Sequence, residues 1–215
     1  MSRQIIGLDL EMTGTDWTEN KIIQVGLCLD PRDDAENFVS DVGWKKDEYL
    51  YNPKSLEVIK WEHERIWAGP PADEVEDALI EWCEAHGITK QGLIPVGYGV
   101  KAFDMPFIGN TWPRFSEYFI RPNNINSLYY NFTFRCCDLT DVTYGMIGAV
   151  PSNKDKKKYG FDGWKRAGKK YGEAELSMIG IEPNWHDAGY DARQAMMALE
   201  YFNKERGHES VSISN

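Results

Sequence analysis

The chain has 215 residues, 42% hydrophobic and 13% aromatic, which fits one domain over 1–215 with a sizeable core. No apolar run approaches the roughly 20 residues of a membrane span, and "MSRQIIGLDL" enters a strand-like pattern with no secretory signature, so a cytoplasmic protein with no membrane partner is expected. Cys28, Cys83, Cys136 and Cys137 lack CxxC or Cys/His zinc spacing and read as buried thiols, and the net charge of −10 excludes a generally basic, phosphate-coating surface.

The first element is "IIGLDLEMTG", residues 5–14, where Ile5, Ile6, Leu8 and Leu10 suit a buried strand. Side chains alternate along a strand, so Asp9 and Glu11 share one face while Leu8, Leu10 and Met12 take the other. At a separation of about 7 Å and an effective dielectric near 20, the two carboxylates repel by roughly 2 to 3 kcal/mol. They need a positively charged partner.

After the polar turn "TGTDWTEN", "KIIQVGLCL" (21–29) predicts a second strand, and "ENFVSDV" beyond the turn "PRDDA" predicts a third, giving an antiparallel meander. "NPKSLEVIKWEHERIW" is helical in character. "PADEVEDALIEWCEAHG" sets Val75, Leu79, Trp82 and Cys83 at helical spacing, opens on Asp73 among acidic neighbours and closes at Gly87. "GLIPVGYG" (92–99) predicts a strand, and Asp104 and Pro106 in "AFDMPFIGNTW" suit the first turn of a helix.

An aromatic-rich insertion occupies 112–134, suited to packing or to stacking on bases, and "FRCCDL" predicts a last strand. A basic segment covers 152–172, and from Lys154 to Lys170 eight lysines and arginines face only Asp155 and Asp162. On an acidic chain such a segment can guide a phosphate backbone. "HDAGYDARQAMMALEYFNKER" predicts a terminal helix with Ala188, Ala192, Ala195, Leu199 and Phe202 on one side. The alternation indicates an α/β layer structure.

Asp191 borders the apolar stripe of that helix, His186 stands at its start, and Asp104 lies in the turn after a strand, where open α/β sheets place ligands. Asp9, Glu11, Asp104 and Asp191 therefore become candidates for one cluster. Hard divalent cations such as Mg²⁺ or Mn²⁺ make it reasonable, and two ions about 3.5 to 4 Å apart can clamp the attacking and leaving oxygens of a phosphodiester. Each residue alone has a plainer reading: an exposed strand edge for Asp9 and Glu11, a helix N-cap for Asp104, a capping or packed residue for His186. His63 and His86 read as structural, and Asp138 in "CCDLTD" as a cap.

"LDLEMTG", "KIIQVG", "VGYGVKAFDMPFI" and "HDAGYDA" resemble, in order and spacing, the motifs of the DEDDh (DnaQ-like, RNase T-like) 3'-to-5' exonucleases, the HxAxxDA form of the last being the most specific. The resemblance implies an RNase H-like fold, a mixed five-stranded sheet with flanking helices. It implies that Asp9, Glu11, Asp104 and Asp191 hold two Mg²⁺ ions, with Mn²⁺ as a substitute, and that His186 is the general base.

By the same resemblance Met12, Thr13 and Gly14 lie beside the terminal nucleotide; Phe103, beside Asp104, and Lys165 and Lys169 of the basic segment are further candidates for substrate binding. The chain departs from many members in carrying Val100 four residues before Asp104, where they have asparagine, which bears on contacts at that turn. The implied activity is release of nucleoside 5'-monophosphates from the 3' end of DNA or RNA, with nucleic acid, expected to be single-stranded, as partner. The alternatives are a nucleic-acid-binding accessory protein of the same fold without turnover, and an internally cutting nuclease.

Overall fold

The structure is a computed structural model that describes residues 3–119, 136–139 and 169–205. β1 (Gln4–Met12) is the third strand of a five-stranded sheet ordered β3-β2-β1-β4-β5. β2 (Ile22–Cys28) pairs with it antiparallel, Asp9 opposite Gly26 and Glu11 opposite Gln24, with a register shift after Glu11. β3 (Asn37–Asp41) continues the expected meander. β4 (Leu93–Gly97) lies parallel on the other side of β1, and β5, only Cys137–Asp138, lies parallel to β4. β4 pairs only with Gln4–Gly7, so Asp9 and Glu11 are paired on the β2 side alone, but Glu11 is buried and Asp9 half-buried, and the exposed-edge reading falls.

The helical stretch after residue 52 is two helices, α1 (Pro53–Ile59) and α2 (His63–Ala68), broken at Lys60, whose φ of 56° is left-handed. α3 (Ala72–Ala85) follows the expected pattern and stops at His86, whose Nδ1 lies 2.7 Å from the Trp82 carbonyl oxygen. α4 is Asp104–Thr111, α5 runs over 169–178, and α6 is Ala188–Glu205. Among the described residues no helix is long and apolar enough to cross a membrane.

The alternation of β1 divides the molecule. Ile6, Leu8 and Leu10 face the main core with Val75, Leu79 and Cys83 of α3 and Met105, Phe107 and Ile108 of α4. The start of the aromatic segment belongs to this core: Trp112, Phe115 and Phe119 are fully buried, and the Trp112 indole N–H donates to the Ala72 carbonyl at 2.8 Å. Burying each such ring stabilises by about 1.5 to 3 kcal/mol. Residues 120–134 lie outside the described residues.

The other face carries Gly7, Asp9 and Glu11 and is covered by α6. A Cβ on Gly7 would stand 2.3 Å from the Ala192 carbonyl oxygen, and one on Gly26 of β2 2.1 Å from that of Ala188. Helix backbone therefore rests on strand backbone, with buried Ala188, Ala192 and Ala195 at the contact as expected and Leu199 only half-buried. Cys28 and Cys83 are buried, and burial pushes the Cys83 thiol up to about 12. Cys136 and Cys137 are half-buried, contrary to expectation, because β5 is an edge strand.

Candidate active site

With α6 seated this way, Asp191, one turn into the helix, meets the acidic face of β1. Carboxylate oxygens of Asp9, Glu11 and Asp191 lie within 4.8 Å of one another. Glu11 and Asp191 are buried and Asp9 is half-buried. The start of α6 is capped by Asp187, whose Oδ1 accepts from the Tyr190 N–H at 3.0 Å.

A second device ties that cap to the sheet. Gln24 of β2, fully enclosed, accepts from the Ala188 N–H at 2.8 Å and donates from Nε2 to Asp41 at 3.0 Å and Asp187 at 3.3 Å. Replacing it leaves buried groups without partners, so Gln24→Leu is expected to lose about 1 to 3 kcal/mol in a urea titration. Wild-type stability in that variant would show that the clamp contributes nothing.

Asp104, expected as the fourth member, approaches from the other direction and is not among the three whose oxygens lie within 4.8 Å of one another. It is the first residue of α4, not its cap, and its Oδ1 accepts from the Leu10 N–H at 3.0 Å, between Asp9 and Glu11 in sequence. The turn that delivers it is braced from β5: Asp138 Oδ1 accepts from the N–H of Gly99 at 3.1 Å, where φ is 80°. Asp138 therefore holds this loop, while the residues after Leu139, which it was expected to cap, lie outside the described residues.

Electrostatics match this crowding. Burial, then the Asp191 charge, with Glu11 and Asp104 adding and Lys169 opposing, holds the Asp9 carboxyl well above the usual carboxylate range. Lys169, at the start of the described part of α5, places its ammonium 2.7 Å from Asp191 Oδ2. Burial works against that ammonium, but Asp191 and Asp9 outweigh it and raise its pKa. Asp191 Oδ1 is buried and makes no hydrogen bond among the described residues. An all-oxygen donor set with an orphaned buried carboxylate oxygen fits a hard divalent cation.

His186 stands two residues before α6, half-buried, with a left-handed φ of 63°, uncommon for a side-chain-bearing residue. Thr13 is buried, its N–H donating to the Lys21 carbonyl at 2.9 Å and its carbonyl accepting from Asn52 N–H at 2.7 Å. Met12 follows the register shift, Gly14 is buried beneath the Asn20 side chain, and Phe103 is 40% exposed next to Asp104. Lys165, and all of the basic segment before Lys169, lies outside the described residues. Two positioning residues, Gln24 and Asp187, were not singled out by the motifs. Their signals were a polar residue inside the apolar run "KIIQVG" and an aspartate just ahead of a helical period.

No protein-family model matches the chain, and no curated protein matches it in sequence. Solved structures do. The zinc-bound complex of E. coli Exonuclease I with single-stranded DNA is similar over 96% of this chain, with a TM-score of 0.61 and 18% identity. The same enzyme with an oligonucleotide gives 95%, 0.60 and 19%. The chain covers only 41% and 42% of those chains, less than half of Exonuclease I. S. pombe Pop2p in its Mg²⁺- and Mn²⁺-bound form is similar over 98% of this chain and 86% of its own, with a TM-score of 0.62 and 14% identity. The mixed five-stranded sheet with flanking helices is the fold this chain shares with E. coli Exonuclease I and S. pombe Pop2p.

Proposed function

We propose that the chain is a metal-dependent 3'-to-5' exonuclease that hydrolyses terminal phosphodiester bonds of single-stranded DNA or RNA and releases nucleoside 5'-monophosphates. The observation that carries this reading is the oxygen cluster of half-buried Asp9 with buried Glu11 and Asp191, with Asp104 anchored on the Leu10 N–H beside it. The nucleic-acid complexes of Exonuclease I and the Mg²⁺- and Mn²⁺-bound form of Pop2p support it.

Asp9, Glu11, Asp104 and Asp191 would hold two Mg²⁺ ions, or Mn²⁺ in their place, which when bound neutralise charge at the scissile phosphate and acidify water. His186, on the turn leading into α6, takes the proton of the attacking water, a role for which an imidazole nitrogen is chemically suited. Met12, Thr13 and Gly14 line the terminal sugar, Phe103 offers an exposed ring to the base, and Lys165 and Lys169 serve the phosphate backbone.

His186→Ala is expected to lower kcat by roughly 10²- to 10⁴-fold and to flatten the pH–rate profile. An unchanged profile removes His186 from the base role. The activity itself is tested with 5'-labelled single-stranded DNA and RNA oligonucleotides, 3'-free or 3'-blocked, with and without Mg²⁺. A ladder that shortens from the 3' end, needs the metal and stops at the block is expected. Internal fragments of mixed length, or binding without cleavage, would replace this reading with an internally cutting nuclease or an accessory binder.

A further inference from the structure

In sequence Lys169 belongs to the basic segment expected to guide phosphate, yet in the structure it does something more local. Lys169 has a side chain only 17% exposed, and its ammonium lies 2.7 Å from Oδ2 of Asp191, itself 5% exposed. It also sits 6.0 Å from the centroid of the buried Tyr98 ring. The placement is built into the packing. Three residues beyond Lys169, a Cβ on Gly172 would stand 2.2 Å from the Gln194 carbonyl oxygen, and Gln194 is three residues beyond Asp191. Leu176, farther along α5, is buried with Tyr190 and Met197. Two helices in backbone contact thus hold Lys169 over Asp191.

Lys169 is therefore a cation on a flexible four-carbon stem, seated among the carboxylates that would bind metal. A metal ligated by Asp191 requires carboxylate oxygen at about 2.0 to 2.1 Å, and an ammonium on Oδ2 competes for the same negative charge. Two cations against one carboxylate repel, so occupancy by either disfavours the other, and the effect is reciprocal.

We propose that Lys169 is an in-built counter-cation of the carboxylate cluster, one that divalent metal displaces from Asp191 and that, once released, turns to the phosphate backbone of the substrate. This rests on the metal-site reading above and adds to it a gate: the protein carries its own competitor for the metal. Through it, metal loading and substrate contact become one event.

The test uses the full chain after treatment with chelator, with Mn²⁺ as the probe. Calorimetric titration is expected to show Lys169→Met binding Mn²⁺ on the order of tenfold more tightly than wild type. Equal or weaker affinity in the variant overturns the proposal while leaving the metal site standing. Binding by neither protein overturns the metal reading and the proposal with it.

A second measurement needs no variant. Wild type is treated with an amine-acylating reagent and read by peptide mass spectrometry, with Lys45, whose side chain is 82% exposed, as internal reference. Lys169 should be protected relative to Lys45 without Mn²⁺ and become several-fold more reactive with it. Reactivity that stays constant or falls as Mn²⁺ binds overturns the displacement.

Discussion

Asp9→Asn is expected to abolish hydrolysis and, in chelator-treated protein at pH 8, to raise Tm by several degrees. The loss of activity follows from removing a charged oxygen ligand. Metal stabilisation of the transition state is worth several kcal/mol, which at 1.36 kcal/mol per decade corresponds to a rate loss on the order of 10³-fold or more.

The gain in stability has a separate cause. Burial and the charges of Asp191, Glu11 and Asp104 hold the Asp9 carboxyl well above its ordinary range, so the folded state binds that proton more tightly than the unfolded chain does. Stability from this group is complete below the ordinary carboxylate range and is lost as pH rises through the raised value. Wild type without metal should therefore weaken as pH rises through that window, and the neutral asparagine should flatten the curve. For a chain of this size each kcal/mol moves Tm by about 2 to 4 °C. Mg²⁺ should stabilise wild type more than the variant, because it binds the folded cluster. A folded variant that still cleaves would refute the metal role, and a Tm below wild type would refute the crowding argument.

Gly26→Val is the second large effect, expected to cost about 3 to 5 kcal/mol in a urea titration and most of the activity with it. A Cβ there would meet the Ala188 oxygen at 2.1 Å, its carbonyl carbon at 2.2 Å and the Gly189 nitrogen at 2.5 Å, all of them main chain. No rotamer relieves such a clash. The start of α6 must lift from the sheet, breaking the bond from the Ala188 N–H to Gln24 and carrying His186 and Asp191 away from β1. With total stabilities of about 5 to 15 kcal/mol for domains, a loss of this size leaves little margin. A variant as stable as wild type would mean that the helix does not rest on the strand backbone.

The acidic half of β1 was readable because an apolar strand interrupted at positions two apart has only one geometry. The terminal helix was readable from its small-residue period, and the three antiparallel strands from their turns. What stayed hidden depends on partners distant in sequence. Gln24 is an odd polar residue in a strand until Ala188, 164 residues later, supplies its donor. Asp104 carries every local mark of a helix cap, and only the packing of α4 beside β1 sends its carboxylate to Leu10 instead. Lys169 reads as one cation in a charged run, because nothing local says that α5 will set it on Asp191. Periodicity reports which face a residue takes, and not what arrives opposite that face.

The contact of α6 with Gly7 and Gly26 has one more consequence. Main-chain atoms have no rotamers, so the seat of Asp191 relative to Asp9 and Glu11 is gauged by the two rigid parts of the molecule, helix axis against strand. A slide of α6 by a single turn, about 5.4 Å, would exceed the whole 4.8 Å span of the carboxylate oxygens. Apolar side chains elsewhere in the core can change in size and alter stability while the spacing of the acids holds, so the chemistry is calibrated by backbone and the core is left free to vary.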